Sequence, residues 1–342
     1  MDNFWNAKRI LITGGAGFIG SSLLEPLLQL GAEIRVVDNL ERGKIEYIKK
    51  HLDSVEFRNE DLCDPDTCKR ACEDIDIVFH LASKVGGIKY YLAKPAEVFS
   101  EGINIDYSMW QAAIGAGVPF YLYASSAHVY PIELQGSPDA PLISENQCYP
   151  ANPELSYGWG KLVGEKLIEY AIKEGCKTRA AIVRIIGAFG PNQDIELETG
   201  SAIPVFIHRA IYYPRRQPFV VLGTGKETRS YCYIDDIVEG LFRATKKLES
   251  HSLVGPFNLG SEERISIGDL VNEVINISGK DIEIEWDLSN PTVIWGQALD
   301  CNLARELLDG WEPKITIREG LERCYKHILD RLDQQQDEPG SV

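Results

Sequence analysis

The chain has no run of basic residues longer than Lys49-Lys50 or Arg215-Arg216, and its 35 lysines and arginines are outweighed by 51 aspartates and glutamates. A body with a formal charge of −16 repels phosphate-rich surfaces, so neither nucleic acid nor an anionic membrane is expected as a partner. No uninterrupted apolar stretch approaches the ~20 residues that a membrane-spanning helix needs. Met1 to Arg9 includes Asp2 and lacks a long apolar core, so a cytoplasmic protein is expected. Any Cys-x-x-Cys pair is also missing: the eight cysteines, at 63, 68, 72, 148, 176, 232, 301 and 324, are scattered. Reduced thiols are expected rather than a disulfide framework. Cys63, Cys68 and Cys72 cluster without a neighbouring histidine, which reads as thiols packed in a helix and not as a metal site. No internal repeat is evident.

What is present has the make-up of an ordinary globular protein, with 44% hydrophobic and 25% charged residues over 342 positions. That length can bury a large core and suggests two lobes. Apolar runs between turn signals give strands at Arg9 to Thr13, Glu33 to Val37, Val55 to Phe57, Ile77 to His80, Phe120 to Ala124 and Arg179 to Arg184. Helices are expected at Phe18 to Leu30, Pro65 to Cys72, Pro95 to Gly115 and Tyr157 to Lys173 between them. This alternation predicts an α/β fold with a doubly wound parallel sheet of the Rossmann type, whose crevice lies at the carboxyl ends of the strands. The sheet domain is expected over residues 1–186. A smaller C-terminal α/β lobe that binds substrate is expected over 187–333, with helices at Ala202 to Tyr212, Ile234 to Lys246, Ile267 to Ile277 and Ile317 to Leu332. Residues 334–342 are polar with Pro and Gly and are expected to be a disordered tail.

Thr13-Gly14-Gly15-Ala16-Gly17-Phe18-Ile19-Gly20 follows the first strand and opens the first helix, the context that makes a glycine pattern informative. Gly14 and Gly17 let the backbone turn and approach a pyrophosphate, Gly20 lets the helix pack on the sheet, and the helix start at Phe18 and Ile19 offers free N–H groups. Asp38 ends the second strand, where its carboxylate accepts bonds from both ribose hydroxyls of an adenosine and opposes a 2′-phosphate, favouring NAD over NADP. Arg42 nearby keeps NADP open. Asn39, Asp61 with Leu62, and Leu81 with Ala82 complete the expected cofactor contacts. An exposed loop acid is an equal reading of Asp61.

Tyr157-Gly158-Trp159-Gly160-Lys161 puts a phenol and an ammonium one helical turn apart on a shared face. A cation there favours the phenolate, so the pair can take a proton from a hydroxyl near neutral pH, which is alcohol-oxidising chemistry. Alone the spacing fits a solvated lysine beside a half-buried tyrosine. Its order after the glycine loop and Ser126 gives it meaning.

Together these residues resemble the extended short-chain dehydrogenase/reductase family of nucleotide-sugar epimerases, dehydratases and reductases. The resemblance rests on Gly-x-x-Gly-x-x-Gly, Ser-Ser-Ala-x-Val-Tyr at Ser125 to Tyr130, Tyr157 with Lys161, Thr228-Arg229-Ser230-Tyr231 before Ile234-Asp235-Asp236, and Leu308-Asp309-Gly310-Trp311-Glu312-Pro313. It covers about residues 8 to 330. It implies that Ser126 bonds the reacting hydroxyl, Tyr157 is its general base, and Lys161 holds the nicotinamide ribose and depresses the tyrosine pKa. It also implies that Arg229 clamps the diphosphate of the sugar nucleotide; a surface ion pair is the other reading of that arginine. Hydride would pass from the sugar to bound NAD, leaving a keto intermediate.

Within the family, Lys84-Val85-Gly86-Gly87-Ile88 is similar to the GDP-sugar branch of GDP-mannose 3,5-epimerases and GDP-fucose synthases, the former nearer overall. Gly86 and Gly87, with Ser126, His128 and Arg229, are the substrate contacts this implies. His128 stands where that branch has an acid/base cysteine, and its partner lysine would fall near Ala202. His128 reads equally as a proton shuttle at carbon 3 or 5 and as a residue that shapes the pocket. Ala127 and His128 replace the Asp and Glu of the 4,6-dehydratases. Gly187 and Gln297 replace an asparagine and an arginine that touch the diphosphate. The expectation is an NAD-dependent nucleotide-sugar epimerase with a transient 4-keto intermediate, acting at carbons 3 and 5 or at carbon 4, on a GDP-sugar. The alternatives are a nucleotide-sugar 4-dehydrogenase or ketoreductase with net redox, and a non-catalytic dinucleotide sensor. The family also implies a homodimer through Pro95 to Gly115 and Tyr157 to Lys173. Met109, Trp110, Ala113, Leu162 and Ile168 would line that seam or an intrachain core.

Overall fold

A computed structural model describes residues 4–86, 88–197, 199–215, 218–289 and 294–337, with only the backbone of 88, 89 and 333–337. The first half runs β1 (Arg9–Thr13), α1 (Phe18–Gln29), β2 (Glu33–Val37), α2 (Ile45–Ile48), β3 (Val55–Arg58) and α3 (Pro65–Ala71). It continues with β4 (Ile77–His80), α4 (Ile88–Ala93), α5 (Pro95–Ala116), β5 (Phe120–Ser126), α6 (Ser156–Lys173) and β6 (Arg179–Ile185). The second half holds β7 (Ala188–Phe189), α7 (Ala202–Tyr212), β8 (Phe219–Leu222), β9 (Thr228–Ser230), β10 (Cys232–Tyr233) and α8 (Ile234–Lys247). It ends with β11 (Leu253–Leu259), β12 (Arg264–Ser266), α9 (Ile267–Ser278), β13 (Ile284–Asp287), β14 (Gly296–Gln297), α10 (Asn302–Leu307) and α11 (Ile317–Asp337).

Seven parallel strands form one sheet in the order β11-β6-β5-β4-β1-β2-β3. The chain starts in the middle, winds outward through β2 and β3, then crosses to β4, so the crevice opens between β1 and β4 at the strand ends. The β1, β2 and β4 side chains are largely buried, as a sheet covered on both faces requires. One core fills the side carrying α1, α8 and the C-terminal elements, and a second lies under α3, α5 and α6. Cys68 and Cys72 belong to that second core. No described helix is long and apolar enough to cross a membrane.

The structure differs from a simple division at residue 186. β11 comes from the second half yet pairs with β6 in the main sheet, and α8 packs behind it. The smaller lobe consists of three minor sheets, β7 with β10, β8 with β13, and β12-β9-β14, with α7, α9 and α11 against them. α11 continues to Asp337, taking in the start of the segment read as a tail; residues 338–342 lie outside the described residues.

An interior ion pair ties the central elements together. Arg184 of β6 donates to both carboxylate oxygens of Glu165 in α6, at 2.9 and 2.7 Å, and to the Tyr130 hydroxyl at 3.1 Å. Ser125 donates to the same carboxylate at 2.5 Å. Arg184 and Glu165 are 2% and 0% exposed, and a pair so buried holds only when its remaining hydrogen-bond capacity is met, as here.

Candidate active site

The glycine loop turns at Gly14, whose φ of 66° is left-handed backbone that favours glycine. At Gly20 a side chain would collide with the Gly14 carbonyl, so only glycine lets α1 start so close under the loop. Gly17 caps α1 without a side-chain bond, which leaves the N–H groups of the first turn open to an anion, with the helix dipole behind them. Gly14, Gly17, Phe18, Ile19 and Gly20 all line one cavity of about 580 Å³.

Across the mouth of that cavity Asp38 is 7% exposed. Its Oδ2 accepts from the Ala16 amide at 3.0 Å and its Oδ1 from the Leu40 amide at 2.8 Å. Burial pushes its carboxyl up, while these two bonds pull it down. Asn39 also lines the cavity, and its side-chain oxygen accepts from the Glu41 amide at 3.0 Å. Asp61 is exposed and folds back to accept from the Cys63 amide at 2.9 Å, with Leu62 buried beside it; both face the cavity. Leu81 and Ala82 reach it by donating their amides to the Thr13 hydroxyl, each at 3.1 Å. Arg42 is drawn to Asp194, with Nη2 3.1 Å from Oδ2, and it donates to the Thr199 carbonyl at 3.1 Å. The cation that kept NADP open is thus occupied, and the residues present fit NAD.

At the far end of the cavity stand Ser126, His128, Tyr157 and Lys161. β5 delivers Ser126, which caps the tight turn Ala127–Val129. The Ser126 hydroxyl lies 3.0 Å from His128 Nδ1, and it is near enough to the Tyr157 phenol to favour its ionised form. The His128 ring stands edge-on to Tyr157 with centroids 5.6 Å apart. At Gly158 a side chain would collide with the His128 carbonyl, so a glycine after Tyr157 is what lets α6 begin against this turn. Burial, and then the Arg229 cation, hold the His128 imidazole down at about 4. It is therefore neutral near pH 7 and able to accept a proton. Tyr91 of α4 covers the other side of Tyr157, stacked at 5.3 Å and 19°.

The expected pairing of Lys161 with Tyr157 meets a competing partner here. Lys161 was read as the cation that lowers Tyr157, but its Nζ lies 3.4 Å from Asp106 Oδ1 and 4.7 Å over the Tyr123 ring. Burial, then Tyr91 and Asp106, push the Tyr157 phenol well above its ordinary value, with only the Ser126 hydroxyl opposing them. Asp106 is the residue that sequence reading missed. Its signal was there: with Gly102, Ile105, Met109 and Ala113 it shares the buried face of α5, an odd place for an unpaired acid.

The substrate contacts divide. Gly86 does not line the cavity, although Lys84 and Val85 do, and Gly87 lies outside the described residues. Arg229 does not line the cavity in this structure. It donates to the Thr228 carbonyl at 2.8 Å and the Ile294 carbonyl at 3.0 Å, so main-chain oxygens hold it where an ion pair was the other reading. Its charge still reaches His128. Gly187 has a φ of 57°, and a side chain there would collide with the Ser230 carbonyl. The close passage of β9 past this point explains why no asparagine fits. Gln297, buried beside Arg229 on the paired strand, donates to Gln135 at 2.9 Å.

The seam residues also separate. Met109, Trp110, Ala113, Leu162 and Ile168 are all buried within the chain. The exposed apolar side chains of α5 and α6 are Phe99, Tyr107, Trp159, Val163 and Tyr170.

Comparison with known proteins bears on the family of the chain. The profile of the NAD dependent epimerase/dehydratase family matches residues 10–260. The chain is 29% identical to GDP-mannose 3,5-epimerase of Arabidopsis thaliana, over 100% of its own length and 88% of the relative's. It is 31% identical to UDP-glucuronic acid decarboxylase 4 of the same plant, over 96% of this chain and 71% of that one. Its fold is similar to that of UDP-glucose 4-epimerase from Thermotoga maritima solved with UDP-glucose, with a TM-score of 0.83, 26% identity, and 95% and 99% of the two chains covered. The chain belongs to the NAD dependent epimerase/dehydratase family and is an NAD-dependent enzyme of nucleotide-sugar chemistry.

Proposed function

We propose that this enzyme epimerises a GDP-sugar through a transient 4-keto intermediate. The observation that carries the reading is the meeting of Ser126, His128 and Tyr157 at the cofactor end of one cavity, with the Ser126 hydroxyl 3.0 Å from His128 Nδ1 and the His128 and Tyr157 ring centroids 5.6 Å apart. NAD held by the glycine loop and Asp38 would supply the hydride acceptor and donor. Ser126 orients the sugar hydroxyl, and Tyr157 takes its proton as hydride departs. Oxidation at carbon 4 acidifies the neighbouring C–H bonds, and neutral His128 then removes a proton from carbon 3 or 5. Arg229 supplies charge-assisted donors to the diphosphate. Similarity to a GDP-mannose 3,5-epimerase over the whole chain supports the GDP-sugar. Similarity to UDP-sugar enzymes supports carbon 4 inversion of a UDP-sugar as the second reading.

Mass spectrometry of the reaction in deuterium oxide tests the proposal. Label at carbon 3 or 5, with no NADH accumulating in the absorbance trace, is the expected result. Inversion without label leaves the carbon 4 reading. Steady release of NADH overturns both and points to net redox.

We further propose that two copies pair through the exposed faces of α5 and α6. Trp159, Val163 and Tyr170, with Phe99 and Tyr107, are large apolar side chains 38–58% exposed on neighbouring helices. Large apolar side chains left exposed on two packed helices suit an association surface.

A further inference from the structure

Asp106 is 4% exposed and its carboxylate is shared by three side chains from three elements. His80 Nε2 of β4 lies 3.0 Å from Oδ1, Lys161 Nζ of α6 lies 3.4 Å from the same oxygen, and the Tyr123 hydroxyl of β5 donates to Oδ2 at 2.5 Å. The proton on His80 can be assigned. Thr13 Oγ1 already accepts two amides, so both lone pairs are used and its own proton goes to His80 Nδ1, 2.9 Å away. His80 is then protonated on Nε2, donates to Asp106 and carries no charge, in keeping with the depression of its pKa by burial.

The charges in this cluster are therefore Asp106 and Lys161. Tyr157 is faced by Ser126 and Tyr123 of β5, His128 of the following turn, Tyr91 of α4, Lys161 on its own helix and Asp106 of α5, with His80 of β4 and Arg229 of β9 farther out. Of these, the carboxylate opposes a phenolate directly, and it also draws the ammonium to its own side.

We propose that Asp106 is a positioning residue: it anchors the Lys161 ammonium against its carboxylate and the Tyr123 ring, and so keeps the Tyr157 phenol protonated until ribose hydroxyls of the dinucleotide compete for that ammonium. Base strength is thereby tied to cofactor occupancy. The inference rests on Tyr157 being the base of the proposed reaction.

Asp106→Asn removes the charge and keeps the bonds. The amide oxygen still accepts from His80 and Lys161. The amide N–H group turns to Tyr123, whose hydroxyl then donates to the Lys161 carbonyl, already 3.3 Å away. Asp106→Ser is a second neutral variant should the amide not fit, and Asp106→Glu restores the charge.

The test is calorimetric titration of the full chain with NAD across pH, without sugar. Phenolate and the cationic nicotinamide favour each other, so affinity rises through the Tyr157 ionisation. In both neutral variants that rise should be centred about one pH unit or more lower, the scale of a neighbouring charge, and Asp106→Glu should return it toward wild type. Coincident curves for wild type and neutral variants overturn the inference, as does Asp106→Glu moving with the neutral pair. A shifted curve in a protein that turns over no sugar nucleotide leaves the inference standing and overturns the proposed function.

Discussion

The Ser126 hydroxyl and His128 Nδ1 are 3.0 Å apart within a single turn, so Nε2 is the nitrogen left to take a proton from a sugar carbon. His128→Gln should therefore abolish deuterium uptake at carbon 3 or 5 while hydride still passes between carbon 4 and NAD. The loss expected for removing a general base is about 10²- to 10⁴-fold in the labelled product. Labelling at the wild-type rate would show that His128 only shapes the pocket.

Acid should weaken the fold. The His128 pKa lies at about 4 in the folded chain against an ordinary 6.5, so as pH falls the unfolded chain binds the proton first. The stability carried by the neutral imidazole is whole above pH 6.5 and is lost as pH falls toward 4. Burial depresses His51, His80 and His327 in the same sense. Scanning calorimetry should show the wild-type melting temperature dropping through that window, and His128→Gln dropping by roughly a few degrees less. Parallel slopes would contradict this.

Arg229 is held by carbonyl oxygens and keeps its charge for a ligand. Arg229→Gln should raise KM for the sugar nucleotide roughly ten- to hundredfold, the worth of a charged hydrogen bond. NAD affinity should not move. Steady-state kinetics beside NAD titration checks both halves, and equal losses in the two would place Arg229 in the cofactor site.

Cofactor choice depends on Asp38 and on the capture of Arg42 by Asp194. Asp38→Ser with Asp194→Ala removes one repelling charge and frees a guanidinium for a 2′-phosphate. The double variant should bind NADP about tenfold or more tightly than wild type, with NAD weakened. Fluorescence titration with both dinucleotides decides it. Unchanged NADP affinity would mean that Arg42 cannot reach.

For the proposed pairing of two chains, Trp159→Glu places a charge in the exposed apolar face of α6. Light scattering after gel filtration should give a dimer for wild type and a monomer for the variant. A wild-type monomer, or an unaltered dimer, removes this face from consideration.

The early elements are legible because each has a strong local cause. β1, β2 and β4 have the bounds that their apolar runs and turn signals predict, and the glycine loop sits between β1 and α1 as its spacing requires. β11 escaped because Gly255-Pro256 interrupts its pattern. The strand tolerates them only because it lies at the sheet edge and shifts register between Val254 and Phe257. The strands of the smaller lobe, two to four residues each, are too short to show a period. At the site, spacing brought Tyr157 and Lys161 into one helix but could not reveal that Asp106, 55 residues earlier, takes the ammonium. Nor could it show Arg42 turned toward Asp194. Side-chain pairings across the sheet leave no local trace.

The interior bonds of Glu165 with Arg184 and Ser125 hold β6, the serine strand and the tyrosine helix as one frame. α4 is stacked on that frame through Tyr91 and Tyr157, and Asp194, beyond β7, is tied down by Arg42. The side chains proposed to move protons are thus mounted on interior bonds, so that a substitution on the outer faces of the fold leaves their spacing intact.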